Sequence, residues 1–161
     1  MPPRPVPPPL PPPLPRARLG VLATPLPPLP SMQELANVSR AITAEVTFED
    51  AARRLEQESR RLTRSSEARC VVFDWVRRRA WSGGVAVTNS SVIDLVADVA
   101  GSGKWSMIGN ALVVPIGSAP ARAVLALRRP GNYQGHEAGM VSALCGGVAP
   151  AIERLLATWR P

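Results

Sequence analysis

A chain of 161 residues is long enough for one domain with its own core, and a net charge of +7 is too modest to mark a nucleic-acid surface. Arg4, Arg16 and Arg18 carry three of those charges, which leaves sixteen basic against twelve acidic side chains on residues 31–161. Two cysteines without CxxC spacing and one histidine, His136, speak against a zinc site. No apolar run approaches the roughly 20 residues of a membrane span, and no signal-peptide pattern is present, so the expected setting is cytoplasmic and reducing.

Fourteen of the nineteen prolines fall within residues 1–30. Proline lacks the amide donor and pushes its predecessor toward extended conformations, so this stretch predicts a disordered or polyproline II tail. Pro-Pro-Leu-Pro occurs at Pro8–Pro11, Pro12–Pro15 and Pro27–Pro30, a pattern that aromatic grooves of the WW type accept. Met32 stands at the start of the first periodic segment and offers an alternative start of translation.

The folded part is expected over residues 31–161. Ser31-Met32-Gln33-Glu34 reads as a capping box opening a helix from Met32 to Thr43. Thr47-Phe48-Glu49-Asp50 opens a second, in which Phe48, Ala51, Ala52, Leu55, Ser59 and Leu62 share one face at helical period. Arg53, Arg54, Arg60, Arg61 and Arg64 lie opposite, with Glu49, Asp50 and Glu56 each four residues before an arginine, so the stripe reads as a solvated face answered locally.

Arg69 to Val76 predicts a strand with Val71, Phe73 and Trp75 on one face and Cys70, Val72 and Asp74 on the other. Both faces are mostly apolar, which implies a sheet covered on both sides. Asp74 reads as a turn partner, Arg77 to Arg79 as the turn, and Ala80 to Ser82 as the next strand. Ser91-Val92-Ile93-Asp94 opens a third helix ending near Gly101. Ala111 to Ile116 and Arg122 to Leu127 form a hairpin across Gly117–Ala121. The last helix carries Val141, Leu144, Val148, Ile152, Leu155 and Trp159, and Pro150 predicts a kink or break in it.

This order of elements resembles the GAF domain family. Ala68-Arg69-Cys70-Val71-Val72-Phe73-Asp74 looks like the family's first strand, and Asn110 to Gly117 looks like its strand reading "s-l-x-v-P-l". Ala123 to Pro130, with the helix ending Val148 to Leu155, looks like the closing strand and helix. The resemblance implies an α+β fold, an antiparallel sheet of about five or six strands with the N- and C-terminal helices on one face. Ser82 to Ile108 is shorter than in the family, which predicts a reduced roof over any ligand pocket.

Catalytic signatures are absent from the sequence. Gly101-Ser102-Gly103-Lys104 fails as a P-loop, because Asp98 and Trp105 stand where glycine and serine or threonine belong. No G-x-S-x-G elbow is present. The family's cyclic-nucleotide signature is missing, and Cys70 and Cys145 lie in apolar runs as small core residues. The reading is therefore a non-enzymatic regulatory or scaffolding module acting through protein contacts in signalling, with no cofactor and no metal. A small-molecule sensor of the same fold is the alternative, and a cysteine-dependent methionine sulfoxide reductase-like enzyme the remotest. Phe73, Trp81 and Trp105, with Ser106 and Asn110, are the candidate pocket residues. Leu35, Val38, Ile42, Ile152, Leu155, Leu156 and Trp159 exceed what two helices need to cover a sheet face, which predicts a homodimer or another signalling protein docked there. No membrane or nucleic-acid partner is expected.

Overall fold

The computed structural model describes residues 2–10 and 29–161. Residues 2–10 form no regular element and are exposed, whereas Arg16, Arg18 and the Pro-Pro-Leu-Pro at Pro12–Pro15 lie outside the described residues. The elements in order are α1 (Met32–Thr43), α2 (Phe48–Thr63), β1 (Glu67–Asp74), β2 (Arg79–Ser82), β3 (Val85–Ala86), α3 (Ser90–Ser102), β4 (Ser106–Ile108), β5 (Ala111–Ile116), β6 (Ala123–Arg128) and α4 (Gly135–Leu156). The strands form one antiparallel sheet in the order β3-β2-β1-β6-β5-β4. Helices α1, α2 and α4 cover one face and α3 the other.

The first two of the three helix starts read from the sequence are present, since Ser31 Oγ accepts from the Glu34 amide and Thr47 Oγ1 from that of Asp50. Glu34, however, turns away to Arg61. The six apolar-face positions of α2 are all buried, and its arginines find carboxylates at positions other than those predicted. Arg53 meets Asp50, Arg54 meets Glu45, and Arg61 meets Glu58 and Glu34. These contacts come at spacings of three residues, from the loop after α1 and from α1 itself, while Glu56 still feels the charge of Arg60 four residues on. Such exposed pairs contribute roughly 0–1 kcal/mol each, so they solubilise this face more than they stabilise it.

Strand β1 alternates as predicted, with Cys70 and Val72 in the core under the three helices and Val71 and Phe73 in the core under α3. It begins and ends two residues earlier than predicted, because Asp74 Oδ1 accepts from the amides of Val76 and Arg77 and starts the turn there. Two strands are additional to those predicted. Gly83 and Gly84, at φ of 60° and 78°, make the two-residue turn that pairs β3 with β2. Gly109 does the same service between β4 and β5. Pro115 lies past the last β4 partner, where β5 has a free edge that tolerates a missing donor.

The third helix starts at an Asn89 cap instead of Ser91 and ends on Gly103 at φ 71°. Helix α4 continues through Pro150 as one helix, so the alternative of a break is overturned. Gly146, whose carbonyl loses the proline's bond, is exposed, so water can take its place. At Gly147 a Cβ would stand 2.9 Å from Ser39 Oγ, so any larger residue there requires the Ser39 hydroxyl to turn away. By length and composition alone α4 is long and apolar enough to cross a membrane, a test that the core helix of a water-soluble fold also passes. Val141, Leu144, Val148 and Ile152 of this helix instead bury against the sheet.

One corner of the fold is polar and buried. Arg129, 8% exposed, donates to both carboxylate oxygens of Glu137, 4% exposed, at 2.6 Å each. It also donates to the carbonyls of Thr63 and Asn132 at 2.7 Å and stacks 4.2 Å from the Tyr133 ring. Tyr133 shares a hydrogen bond with Ser65, and Ser65 with Thr63. Burial alone would raise the Glu137 pKa, but the Arg129 bonds, the Gln134 amide and the arginine's charge together hold it below the ordinary 4.5.

Removing one partner of a buried pair strands the other, at a cost of about 3–5 kcal/mol. Glu137→Gln should therefore lower the urea midpoint strongly, and the double variant Arg129→Met/Glu137→Leu should lose less than the two single changes added. The Glu137 pKa is depressed on folding, so its contribution is complete above pH 4.5 and is lost as pH falls toward the folded value; the wild-type acid transition should flatten in Glu137→Gln. Ser59 Oγ on α2 is buried without a partner. Ser59→Ala should raise stability by about 1 kcal/mol in the same urea titration.

Candidate functional site

The α3 face of the sheet is built from small side chains. Ala111 and Val113 of β5, Ala126 of β6 and Ala86 of β3 give a low floor, set by strand alternation. Helix α3 approaches this floor unevenly. At its C-terminal end Val96, Ala97, Val99 and Ala100 are buried, the Ala100 carbonyl accepts from the Ala121 amide, and Gly101 admits the Trp75 ring. Trp75 is itself held by its indole N–H on the Ala121 carbonyl and by edge-to-face contact with Phe73. At its N-terminal end Val92 and Leu95 are only partly covered. A half-open cavity of about 350 Å³ remains between that end and the floor, within the range of small-ligand sites.

Its interior is aliphatic, walled by Val71, Val113, Ala126, Leu95 and Val96, with Ser82 at the side. Glu67, Arg69 and Arg128 form one end and are exposed to solvent. The register explains their meeting, because Glu67 is paired with Arg128, and Arg69 with Ala126 next along β6.

None of the five predicted pocket residues lines this cavity. Phe73 is on the right face but is sealed in the core beneath α3 at 1% exposure. Trp81 sits against the other face, edge-to-face with Trp159 at 6.3 Å between ring centroids. Trp105, Ser106 and Asn110 lie on or beside the outer strand β4, away from the lining. Aromatic side chains do not mark this cavity. Alternation along β1 places Glu67, Arg69 and Val71 together on the α3 face.

The predicted dimer surface is also largely spent within the chain. Val38, Ile42, Ile152 and Leu156 are buried in the core cluster that α2 completes, so a third helix absorbs the apolar surplus. Leu35, Leu155 and Trp159 are half-buried beside it, with Trp159 packed on Phe48 and its indole N–H donating to Glu49.

Two further clefts flank Trp81 and Trp159. The first, of about 120 Å³, is bordered by Glu56, whose pKa burial pushes up. The second, of about 550 Å³, takes its walls from Arg160, Pro161 and the β1–β2 turn. Its shape thus follows the resting place of the terminal side chains, whereas the α3 cavity is framed by sheet and helix. No group of three His, Cys, Asp or Glu among the described residues could hold a metal ion.

This arrangement of helices and sheet superposes on several solved structures. The GAF domain of a phosphoenolpyruvate-protein phosphotransferase from Acinetobacter superposes with a TM-score of 0.62 at 14% identity, over 81% of this chain and 99% of that one. The chain has a GAF-like fold. The corresponding GAF domain from Coxiella burnetii gives 0.62 at 12% identity over 76% and 92% of the two chains. Residues 122 to 287 of a methyl-accepting chemotaxis protein give 0.62 at 11% identity over 76% and 97%. No protein-family model and no curated protein matches the sequence.

Both cysteines of this GAF-like fold are free and buried, Cys70 on β1 and Cys145 on α4. Burial raises both thiols, Cys145 to about 12 and Cys70 further, with the Glu56 carboxylate and Cys145 adding to the shift at Cys70. A thiol so held supplies almost no thiolate at neutral pH. Neither cysteine should react with a thiol-specific disulfide reagent in the native protein at pH 8, and both should react in denaturant. Rapid native labelling of either would contradict their burial.

Proposed function

We propose that residues 31–161 form a non-catalytic, GAF-type regulatory module that senses a small molecule in the cavity beneath α3. The cavity carries this reading. Its floor is cut low by alanines where the opposite face of the same sheet is filled by Leu112, Leu125 and Leu127. A ligand there would be held between β5–β6 and the N-terminal half of α3, so its arrival would draw down the end of the helix that is least packed. Fold likeness to domains of a phosphotransferase and a chemotaxis protein supports a place in signalling. The inert thiols weigh against the cysteine-dependent enzyme.

A second reading, docking of a protein partner, is favoured by the outer edge of the sheet. There Met107 and Ile108 of the short strand β4 are 39% and 54% exposed, next to Trp105 at 39%, an apolar edge of the kind that accepts a further strand.

A thermal-stability panel of nucleotides, carboxylates, amino acids and tetrapyrroles tests the sensor reading on the full chain. A binding class at a hundred times its Kd should stabilise by about 2.7 kcal/mol, and Ala126→Phe, which fills the floor, should remove the effect. Stabilisation by no class, or stabilisation that survives Ala126→Phe, would leave the cavity without a sensing role.

A further inference from the structure

The cavity is chemically asymmetric, and the asymmetry names a class of ligand. Resting on the sensor reading above, we propose that the α3 cavity takes a small monoanion with an apolar body, such as an aliphatic carboxylate, anion at the mouth and body inward.

Three observations carry this. The interior offers aliphatic walls with one hydroxyl, Ser82, at the side. A polyol, sugar or nucleobase would leave donors and acceptors unpaired there, which costs more than its burial returns. The lining contains no aromatic ring on which a base or a tetrapyrrole could stack, and no histidine or cysteine to ligate or attach one.

The charged groups, in contrast, are gathered at one end. Glu67, Arg69 and Arg128 stand on adjacent strands, with Glu67 and Arg128 directly opposite in the register. Among the lining side chains two guanidinium groups stand against one carboxylate, an excess of positive charge at the mouth, with Glu56 near enough to Arg69 to feel its charge. A monoanion answers it, whereas a neutral head leaves it and a cation opposes it. Arginine also offers paired N–H donors in the planar arrangement that a carboxylate accepts. These three side chains are exposed, so the head would remain partly hydrated while the chain enters the dry part of the cavity.

Size points the same way. About 350 Å³ lies near the lower end of small-ligand cavities, which suits a short apolar chain better than a multi-ring cofactor.

The test uses the full chain and three probes of equal chain length: decanoate, decan-1-ol and decyltrimethylammonium, titrated by calorimetry below their micellar concentrations. Decanoate should bind at least about tenfold more tightly than the alcohol, the size of one charge-assisted hydrogen bond, and the cation should bind weakest. Arg69→Gln/Arg128→Gln should weaken decanoate by about tenfold or more and leave the alcohol unchanged. Ala126→Phe should abolish binding of both.

Equal binding of alcohol and carboxylate, or indifference of decanoate to the double arginine change, would overturn the anion assignment while leaving an apolar sensing cavity. Decanoate binding that survives Ala126→Phe would place the anion elsewhere on the surface and overturn the proposal. Failure of all three probes to bind would also overturn it, and a polar class stabilising in the thermal panel would then identify the sensor's ligand as something else.

Discussion

The Arg129–Glu137 pair ties together parts of the chain that would otherwise have no reason to meet. Arg129 leaves the end of β6, Glu137 sits in the first turn of α4, and the same guanidinium takes the Thr63 carbonyl at the end of α2. Glu137 also accepts from the Gln134 amide, so one carboxylate caps the helix and anchors the arginine. A buried pair of this kind adds little net stability over an apolar substitute, but it discriminates strongly against arrangements that separate its members. It defines where α4 begins relative to the sheet, and the long helix then packs along β5 and against α1 and α2.

Arg128 and Arg129 show how strand geometry divides labour between neighbours. Consecutive side chains of an extended segment point to opposite faces. Arg129 turns under the helices into a saturated network, while Arg128 comes to the mouth of the cavity with Arg69 and Glu67. The corner that organises the fold and the charged end of the candidate site are thus two faces of one chain segment.

Side-chain volume separates the two faces of the sheet as clearly as charge does. Under α1, α2 and α4 the strands present Leu112, Val114, Ile116, Leu125 and Leu127, large enough to fill the space to three helices. Under α3 they present Val71, Ala80, Val113, Val124 and Ala126, with Phe73 the one large side chain. The glycine and alanines at the end of α3 close that gap near Trp75 and Phe73, and nothing of comparable size closes it toward Val92. The cavity is a consequence of which residues are small, and its chemistry of which strand ends carry charge.

Periodicity and caps are local properties, and the sequence alone determined what depends on them: the bounds of the first helix, the buried face of the second, the two-sided burial of β1, the central hairpin and the GAF-like order of elements. Each is decided by neighbours within a few residues, where backbone geometry leaves few alternatives. The hairpin turn at Gly83–Gly84 escaped the sequence reading, because strands of two and three residues carry too little pattern to stand out beside it. Tertiary structure alone decided the rest. Whether Ile42 and Ile152 face a second copy or α2 depends on how three helices share one sheet face, and apolar spacing is identical in either case. Which of Trp81, Trp105 and Phe73 lines a pocket depends on the space left between layers, a volume set by residues distant in sequence. The pairing of Glu67 with Arg128, sixty-one positions apart, exists only once β1 and β6 lie side by side, because register is a property of two strands and not of either one.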